Sequence, residues 1–253
     1  MNRRAFSTLG CPELDLAGVV RLASADGRCA GVELRCADGQ MIAPDKSAAE
    51  ADAIAARLGA ADLAVVCLAS YVQVASPASG VVAELERHLR LAARLGASYV
   101  RVFGGIGSPE RAVRNLAASV PAAEAAGVGI VLETHDEFLT GAAVADVLAA
   151  VGSPAVGAVW DAVNPWRAGE PVAETAAALG PWLRHVQFKD VASAADLRPV
   201  LPGAGVLPLQ DIRAALDRIG YAGWISLEWE RAWYPEAAPL AEALGRFHRV
   251  LDA

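Results

Sequence analysis

The sequence predicts an α/β protein built as a single (β/α)8 barrel. Three observations lead there: the length, eight short β-like runs, and a stretch of helical period after each run. The chain has 253 residues, and an α/β barrel takes roughly 250 residues as one unit. Hydrophobic residues make up 55% of it and charged residues 20%, and the mean hydropathy is +0.34. A chain of that composition buries a large core and is not disordered.

The β-like runs are 5–9 (AFSTL), 29–34 (CAGVEL), 62–68 (DLAVVCL) and 98–103 (SYVRVF), followed by 129–133 (GIVLE), 155–161 (AVGAVWD), 185–189 (HVQFK) and 224–228 (WISLE). Between them lie apolar stripes of helical spacing. Val82, Leu85, Leu89 and Ala92 form one, and Leu209, Ile212, Leu216 and Ile219 repeat it, with Gly220 as a C-terminal cap. Leu240, Leu244, Phe247 and Leu251 close the chain. Gly59, Gly96 and Gly127 sit where a helix should hand over to the next strand. Pro121 interrupts the fourth helical stretch, so a kink or a late start is expected there. Eight units in this length give about 32 residues each, which fits the barrel. A doubly wound open sheet would need a glycine-rich phosphate turn after its first strand, and CPEL is not one. With no linker or low-complexity tract, residues 1–253 are expected to form one barrel domain.

The formal net charge is −7 and the pI about 5.2, which speaks against a nucleic-acid partner. Nearly all positive charge is arginine, the only lysines being Lys46 and Lys189. All six tryptophans, Trp160, Trp166, Trp182, Trp224, Trp229 and Trp233, fall late in the chain. Cys11, Cys29, Cys36 and Cys67 show no CxxC spacing, so reduced, mostly buried thiols in a cytoplasmic protein are expected. The start, MNRRAFSTLGCPELDL, has no apolar core of a signal peptide, and no stretch is apolar enough to span a membrane.

In such a barrel the residues just past the C-terminal ends of the strands face the active site. The fifth strand ends in Glu133-Thr134-His135, and the sixth in Asp161, followed by Asn164 and Trp166. The seventh carries Gln187, then Lys189-Asp190, and the eighth ends in Glu228, then Glu230-Arg231. Four consecutive strands therefore bring Glu133, Asp161, Gln187 and Glu228 to one mouth. Three carboxylates held together repel unless something neutralises them. A divalent cation would, and an oxygen-only set suits Mn²⁺ or Mg²⁺ better than zinc or copper. The competing reading is pairing with arginines around the rim.

The segments 132–138 (LETHDEF), 159–171 (VWDAVNPWRAGEP), 184–191 (RHVQFKDV), 201–209 (LPGAGVLPL) and 220–231 (GYAGWISLEWER) resemble the sugar phosphate isomerase/epimerase family, whose fold is the xylose-isomerase-like TIM barrel. Residues 6–14, 31–35 and 101–105 fit it too, so the resemblance covers nearly the whole chain. It implies a metal held by residues from strands five to eight, which fall here on Glu133, Asp161, Gln187 and Glu228. Gln187 departs from the family's commoner histidine, and Asn164 stands where many relatives have a histidine that touches substrate. The resemblance further implies an isomerase or epimerase acting on a sugar or cyclic polyol ketone through an enediolate, with Glu133 and Glu228 as the catalytic pair. Loss of a β-hydroxyl after the same first step would instead make a dehydratase or lyase of an inosose- or dehydroshikimate-like ketone.

Around that pair, His135 is a candidate for a substrate hydroxyl or a proton relay. Lys189 is a candidate for a salt bridge or a substrate contact. Arg101 points to the pocket or its floor, where it would meet a substrate anion or pair with Glu33. Trp166, Trp229 and Trp233 sit at the mouth, where aromatic faces stack on sugar rings. Asn164, Trp166, Glu230 and Arg231 complete the candidate substrate residues. His185 points inward behind the ligands, whereas His88 and His248 are expected at the surface. Gly203 and Gly205 form a GxG turn, a weak phosphate signal. A phosphodiesterase of the related endonuclease class would need more histidines near the site and a less acidic chain. A non-catalytic sugar-binding barrel is the remaining alternative, supported by Gln187 and Asn164. The expected partner is a small sugar or polyol, with no nucleic acid and no membrane, and a homo-oligomer stays open.

Overall fold

The computed structural model describes residues 2–253. Eight parallel strands close into a barrel in sequence order: β1 (Arg3–Ser7), β2 (Gly31–Arg35), β3 (Ala64–Gln73), β4 (Tyr99–Phe103), β5 (Gly129–Glu133), β6 (Val156–Asp161), β7 (Leu183–Phe188) and β8 (Trp224–Leu227). β1 pairs with β8, Arg3 opposite Trp224 and Phe6 opposite Leu227, which removes both sheet edges. The helices are α1 (Leu16–Asp26), α2 (Ala48–Gly59), α3 (Val81–Leu95), α4 (Pro109–Ala126), α5 (Gly141–Val151), α6 (Val163–Arg167), α7 (Val172–Leu179), α8 (Leu209–Arg218) and α9 (Leu240–Asp252). No helix among the described residues is long and apolar enough to cross a membrane.

The helices start where side chains satisfy the free N–H groups of the first turn. Asp15 accepts from Gly18 N at 2.7 Å, and Ser47 and Glu50 form a reciprocal capping box. Gly96 and Gly127 end α3 and α4 in the left-handed conformation, as expected of handover positions. Gly59 is the last residue of α2 but is not left-handed, because Ala60 caps the helix in the right-handed conformation and the left-handed turn falls on Asp62. α4 runs through Pro121 from Pro109 to Ala126, and so neither starts late nor breaks there. The sequence expected β3 at 62–68, and it extends to Gln73.

Two apolar layers carry the fold. The larger lies between barrel and helices, and the stripes of α3, α8 and α9 face it: Leu85, Leu89, Ile212, Leu216, Leu244 and Phe247 are all buried. The smaller fills the barrel interior with Ala5, Val66, Cys67, Val131, Val159 and Trp224. Side chains on one face of a strand recur every second residue. Two residues beyond Val131 and Val159 are Glu133 and Asp161, so the polar layer sits directly above an apolar floor. Cys11, Cys29, Cys36 and Cys67 are free and buried. His88 and His248 are buried as well, against the surface expectation. His88 is hydrogen-bonded to its own helix at Glu84 O, and His248 is held by Asp26 and Arg4 between α1, α9 and β1.

The loop after β7 is organised by Asp190, which is 1% exposed. Its Oδ2 accepts from Gly203 N and Gly205 N at 2.9 and 3.0 Å, and its Oδ1 from Leu207 N at 3.1 Å. The GxG turn thus binds the chain's own carboxylate, which corrects its reading as a phosphate signal. A Cβ on Gly205 would overlap Asp190 Oδ1 and Val191 O. Val191 N donates to Oδ1 as well, at 3.0 Å, so truncation would orphan four amides around a lost charge, each such bond contributing about 1.5–3 kcal/mol. Asp190→Ala is therefore expected to lose about 3 kcal/mol or more of stability in urea unfolding. A loss below about 1 kcal/mol would show that water replaces the carboxylate.

Candidate active site

The C-terminal ends of the strands surround a cavity of about 330 Å³ lined by Arg101, Glu133, His135, Lys189, Glu228 and Glu230 among others. Asp161 and Gln187 lie beneath it, both 0% exposed. All four residues expected from strands five to eight are therefore brought to one end of the barrel.

Each carboxylate has a defined partner. Asp161 Oδ1 accepts from Val163 N at 2.8 Å, and Oδ2 from Asn164 Nδ2 at 2.8 Å. Lys189 Nζ lies 2.9 Å from Asp161 Oδ2, 2.8 Å from Glu228 Oε2 and 2.6 Å from Glu230 Oε1. Arg101 Nε is 3.3 Å from Glu133 Oε2, with its guanidinium 3.9 Å from the centre of the Phe103 ring. Arg101 thus pairs with Glu133 and not with Glu33. Glu33, fully buried on β2, accepts from His185 Nε2 at 2.7 Å and from Gln187 Nε2 at 3.0 Å. Gln187 Nε2 also reaches Glu228 Oε1 at 3.2 Å.

Several candidates are used differently from expectation. Gln187 turns its amide nitrogen toward Glu33 and Glu228, because the groups facing it are acceptors, and its Oε1 is buried without a hydrogen-bond partner. Asn164 orients Asp161 from below, with its own Oδ1 on Arg167 Nε at 2.9 Å, and does not line the cavity. Trp166 lies in α6 against the core, and Arg231 is bound to Glu13 at the rim. Trp229 is buried with Nε1 on Ala238 O at 2.8 Å. Trp233 is 54% exposed and lines the cavity mouth. His135 lines it too, its ring 4.3 Å from Phe103 and Nδ1 2.8 Å from Asp136 Oδ1. Leu9, Tyr71, Gln73 and Phe103 complete a wall that sequence reasoning missed. Tyr71 and Gln73 belong to the extension of β3, and alternation from Ala69 would have found them had the strand been given its full length.

Negative charge exceeds positive charge in this layer. Burial pushes Glu133 well above the ordinary carboxyl range although Arg101 pulls it down. Burial also lifts Glu228 from 4.5 to about 7 against the pull of Lys189. Burial lowers His135, while the surrounding carboxylates hold Lys189 well above its ordinary value despite burial.

Residues 20–250 match the family of xylose isomerase-like TIM barrels. The chain belongs to that family. Its fold is similar to that of D-psicose 3-epimerase from Clostridium cellulolyticum H10, at 17% identity, a TM-score of 0.82 and coverage of 98% of this chain and 99% of that one. It is similar to the probable 3-DHS dehydratase AsbF of Bacillus anthracis at 16% identity and a TM-score of 0.79, with the same coverage. The IOLI protein, solved with a bound zinc atom, is similar at 19% identity and a TM-score of 0.83, covering 99% of this chain and 98% of that one. At these identities the likeness shows the fold alone. No curated protein is similar in sequence.

The family implies a metal ion at this end of the barrel. Glu133, Asp161 and Glu228 offer only oxygen, and Glu133 Oε2 and Gln187 Oε1 are buried without hydrogen-bond partners. With the surplus of negative charge, these residues fit a hard divalent cation. The three carboxylates are nevertheless spread. Among the described residues, the one His/Cys/Asp/Glu group whose donor atoms all lie within 4.8 Å is Asp26, Cys29 and His248, outside this cavity.

The Glu228 shift has a sign that can be measured. A carboxyl raised on folding binds its proton more tightly in the native state, so its stabilisation is complete below 4.5 and is lost as pH rises toward 7. Urea unfolding in a chelator is expected to show wild type losing up to about 3 kcal/mol relative to Glu228→Gln across that window. Parallel curves for the two proteins would refute the shift.

Proposed function

We propose that this protein is an isomerase or epimerase of a small polyhydroxy ketone, a sugar or a cyclic polyol, working by proton transfer next to the carbonyl. The observation that carries this reading is that Glu133, paired with Arg101, and Glu228, paired with Lys189, both line the wall of one small cavity. A pair of carboxyls can take a proton from one face of a carbon and return one at the other. The C–H bonding pair moves into the carbonyl system as an enediolate, and the proton rests on the accepting carboxylate until the second carboxyl delivers its own.

Lys189 and Arg101 supply positive charge where the enediolate oxygens gain negative charge, in a site shielded from bulk water. Phe103 holds the Arg101 plane, and Trp233 at the mouth offers a face to a sugar ring. Glu133, Asp161 and Glu228 would hold Mn²⁺ or Mg²⁺, with Gln187 steadying Glu228. Such an ion supplies Lewis-acid polarisation of substrate oxygens when bound. His135 favours a second outcome. It presents another proton-bearing group to the same cavity, and departure of a β-hydroxyl with that proton would make the reaction a dehydration.

Incubation with ketohexoses or inososes in deuterated water, with Mn²⁺ or Mg²⁺ added, is expected to incorporate deuterium next to the carbonyl. Glu133→Gln and Glu228→Gln should each slow this by about 10²–10⁴-fold. Product analysis separates epimer from dehydrated product. Ligand binding without exchange for any such ketone would leave a sugar-binding barrel instead of an enzyme.

A further inference from the structure

Lys189 is one of only two lysines in the chain and is 7% exposed. Its ammonium touches three carboxylates at 2.6–2.9 Å. Two of them, Asp161 and Glu228, belong to the donor set for a divalent ion. The third, Glu230, does not, and it is the most exposed of the three, at 18% of its side chain against 0% and 7%. Gln187 works in the same direction, since its amide nitrogen and not its oxygen is presented to Glu228. The side chains around Asp161 and Glu228 therefore present hydrogen-bond donors to oxygens that a metal ion would need.

We propose that the Lys189 ammonium is a built-in cation that competes with a divalent metal ion for Asp161 and Glu228, and that the metal enters as Lys189 withdraws onto Glu230. The proposal rests on the reading of these carboxylates as a cation site. Formal charge favours withdrawal over expulsion. Glu133, Asp161, Glu228 and Glu230 face Arg101 and Lys189, and a divalent ion added to that set brings it to neutrality only if the lysine stays. Glu230 keeps the ammonium within the cavity wall, where it remains available to a substrate oxygen. A cation site with a resident competitor binds metal more weakly than the same carboxylates would without it, because each divalent ion must displace two close ion pairs, one of them a charge-assisted hydrogen bond.

The scarcity of lysine makes the test direct. Protein labelled with [ε-¹³C]lysine has two side-chain signals, from Lys189 and from Lys46, which is paired with Glu50 on the surface. Titration with Mg²⁺ is expected to move the Lys189 signal saturably and leave the Lys46 signal in place. Calorimetry with Mn²⁺ should show Lys189→Met binding at least tenfold tighter than wild type, with the gain lost in Lys189→Met/Asp161→Asn. Saturable Mg²⁺ binding without movement of the Lys189 signal would overturn the proposal, and so would equal or weaker Mn²⁺ binding by Lys189→Met. No binding by either protein would overturn it too, by removing the cation site. The wild-type titration depends on no variant folding. Failure of the functional reading shows elsewhere, as absent deuterium exchange while the metal affinities still follow the expected order.

Discussion

Carboxylates buried at the ends of neighbouring parallel strands carry the largest electrostatic cost in this barrel. Moving one such charge out of water costs several kcal/mol unless a partner compensates it. The fold meets that cost with few cations placed closely. Arg101 from β4 answers Glu133 on β5, and Lys189 just past β7 answers Asp161 on β6 and Glu228 just past β8. Glu33 on β2 is answered by His185 and Gln187 across the barrel. The apolar floor of Val131, Val159 and Trp224 below this layer keeps water from the lower side. The polar layer thus forms one coupled network, in which removing either cation strands a buried carboxylate on another strand.

The two positions that depart from the family's commoner histidines have a shared consequence. Gln187 and Asn164 are both amides, and each donates N–H to a carboxylate: Gln187 to Glu33 and Glu228, Asn164 to Asp161. An imidazole can exchange a proton or present a lone pair to a metal, while an amide nitrogen does neither. Both positions therefore hold carboxylates in place, and in the proposed reaction proton transfer would fall to the glutamates and His135. Gln187 on β7 also links Glu33 on β2 to Glu228 just past β8.

The strands were legible because alternation and apolar runs follow from backbone geometry alone. The same alternation, carried past the strand ends, brought Glu133, Asp161, Gln187 and Glu228 to one place. What remained hidden depends on partners distant in sequence. Glu33 meets His185 and Gln187 across 152 and 154 residues, and no local pattern marks that meeting. Arg231 lies in a loop and Trp166 in a helix of five residues, too short for a period to show which way a side chain points, and the structure turns them to Glu13 and to the core. His88 and His248 looked solvated because histidine is common on helix surfaces. Burial was decided by Glu84 O for one and by Asp26 and Arg4 for the other.

The same physics separates two clusters that a list of residue types would treat alike. Asp26, Cys29 and His248 lie closer together than the carboxylates of the cavity. Burial pushes Asp26 upward, yet hydrogen bonds from His248 and from the Cys29 and Arg28 amides hold it at about 2. With Arg4 on His248 Nδ1 at 3.3 Å as well, that cluster is saturated with donors. It locks the end of α1 to α9 and has no surplus charge for an ion to neutralise. In the cavity the balance runs the other way: Glu228 is lifted to about 7 even with Lys189 in contact. A carboxylate held down has its complement within the fold, whereas one lifted up still lacks positive charge. By that criterion the cavity at the strand ends, and not the tighter Asp26 cluster, is where an incoming cation or an electron-poor carbonyl has most to gain.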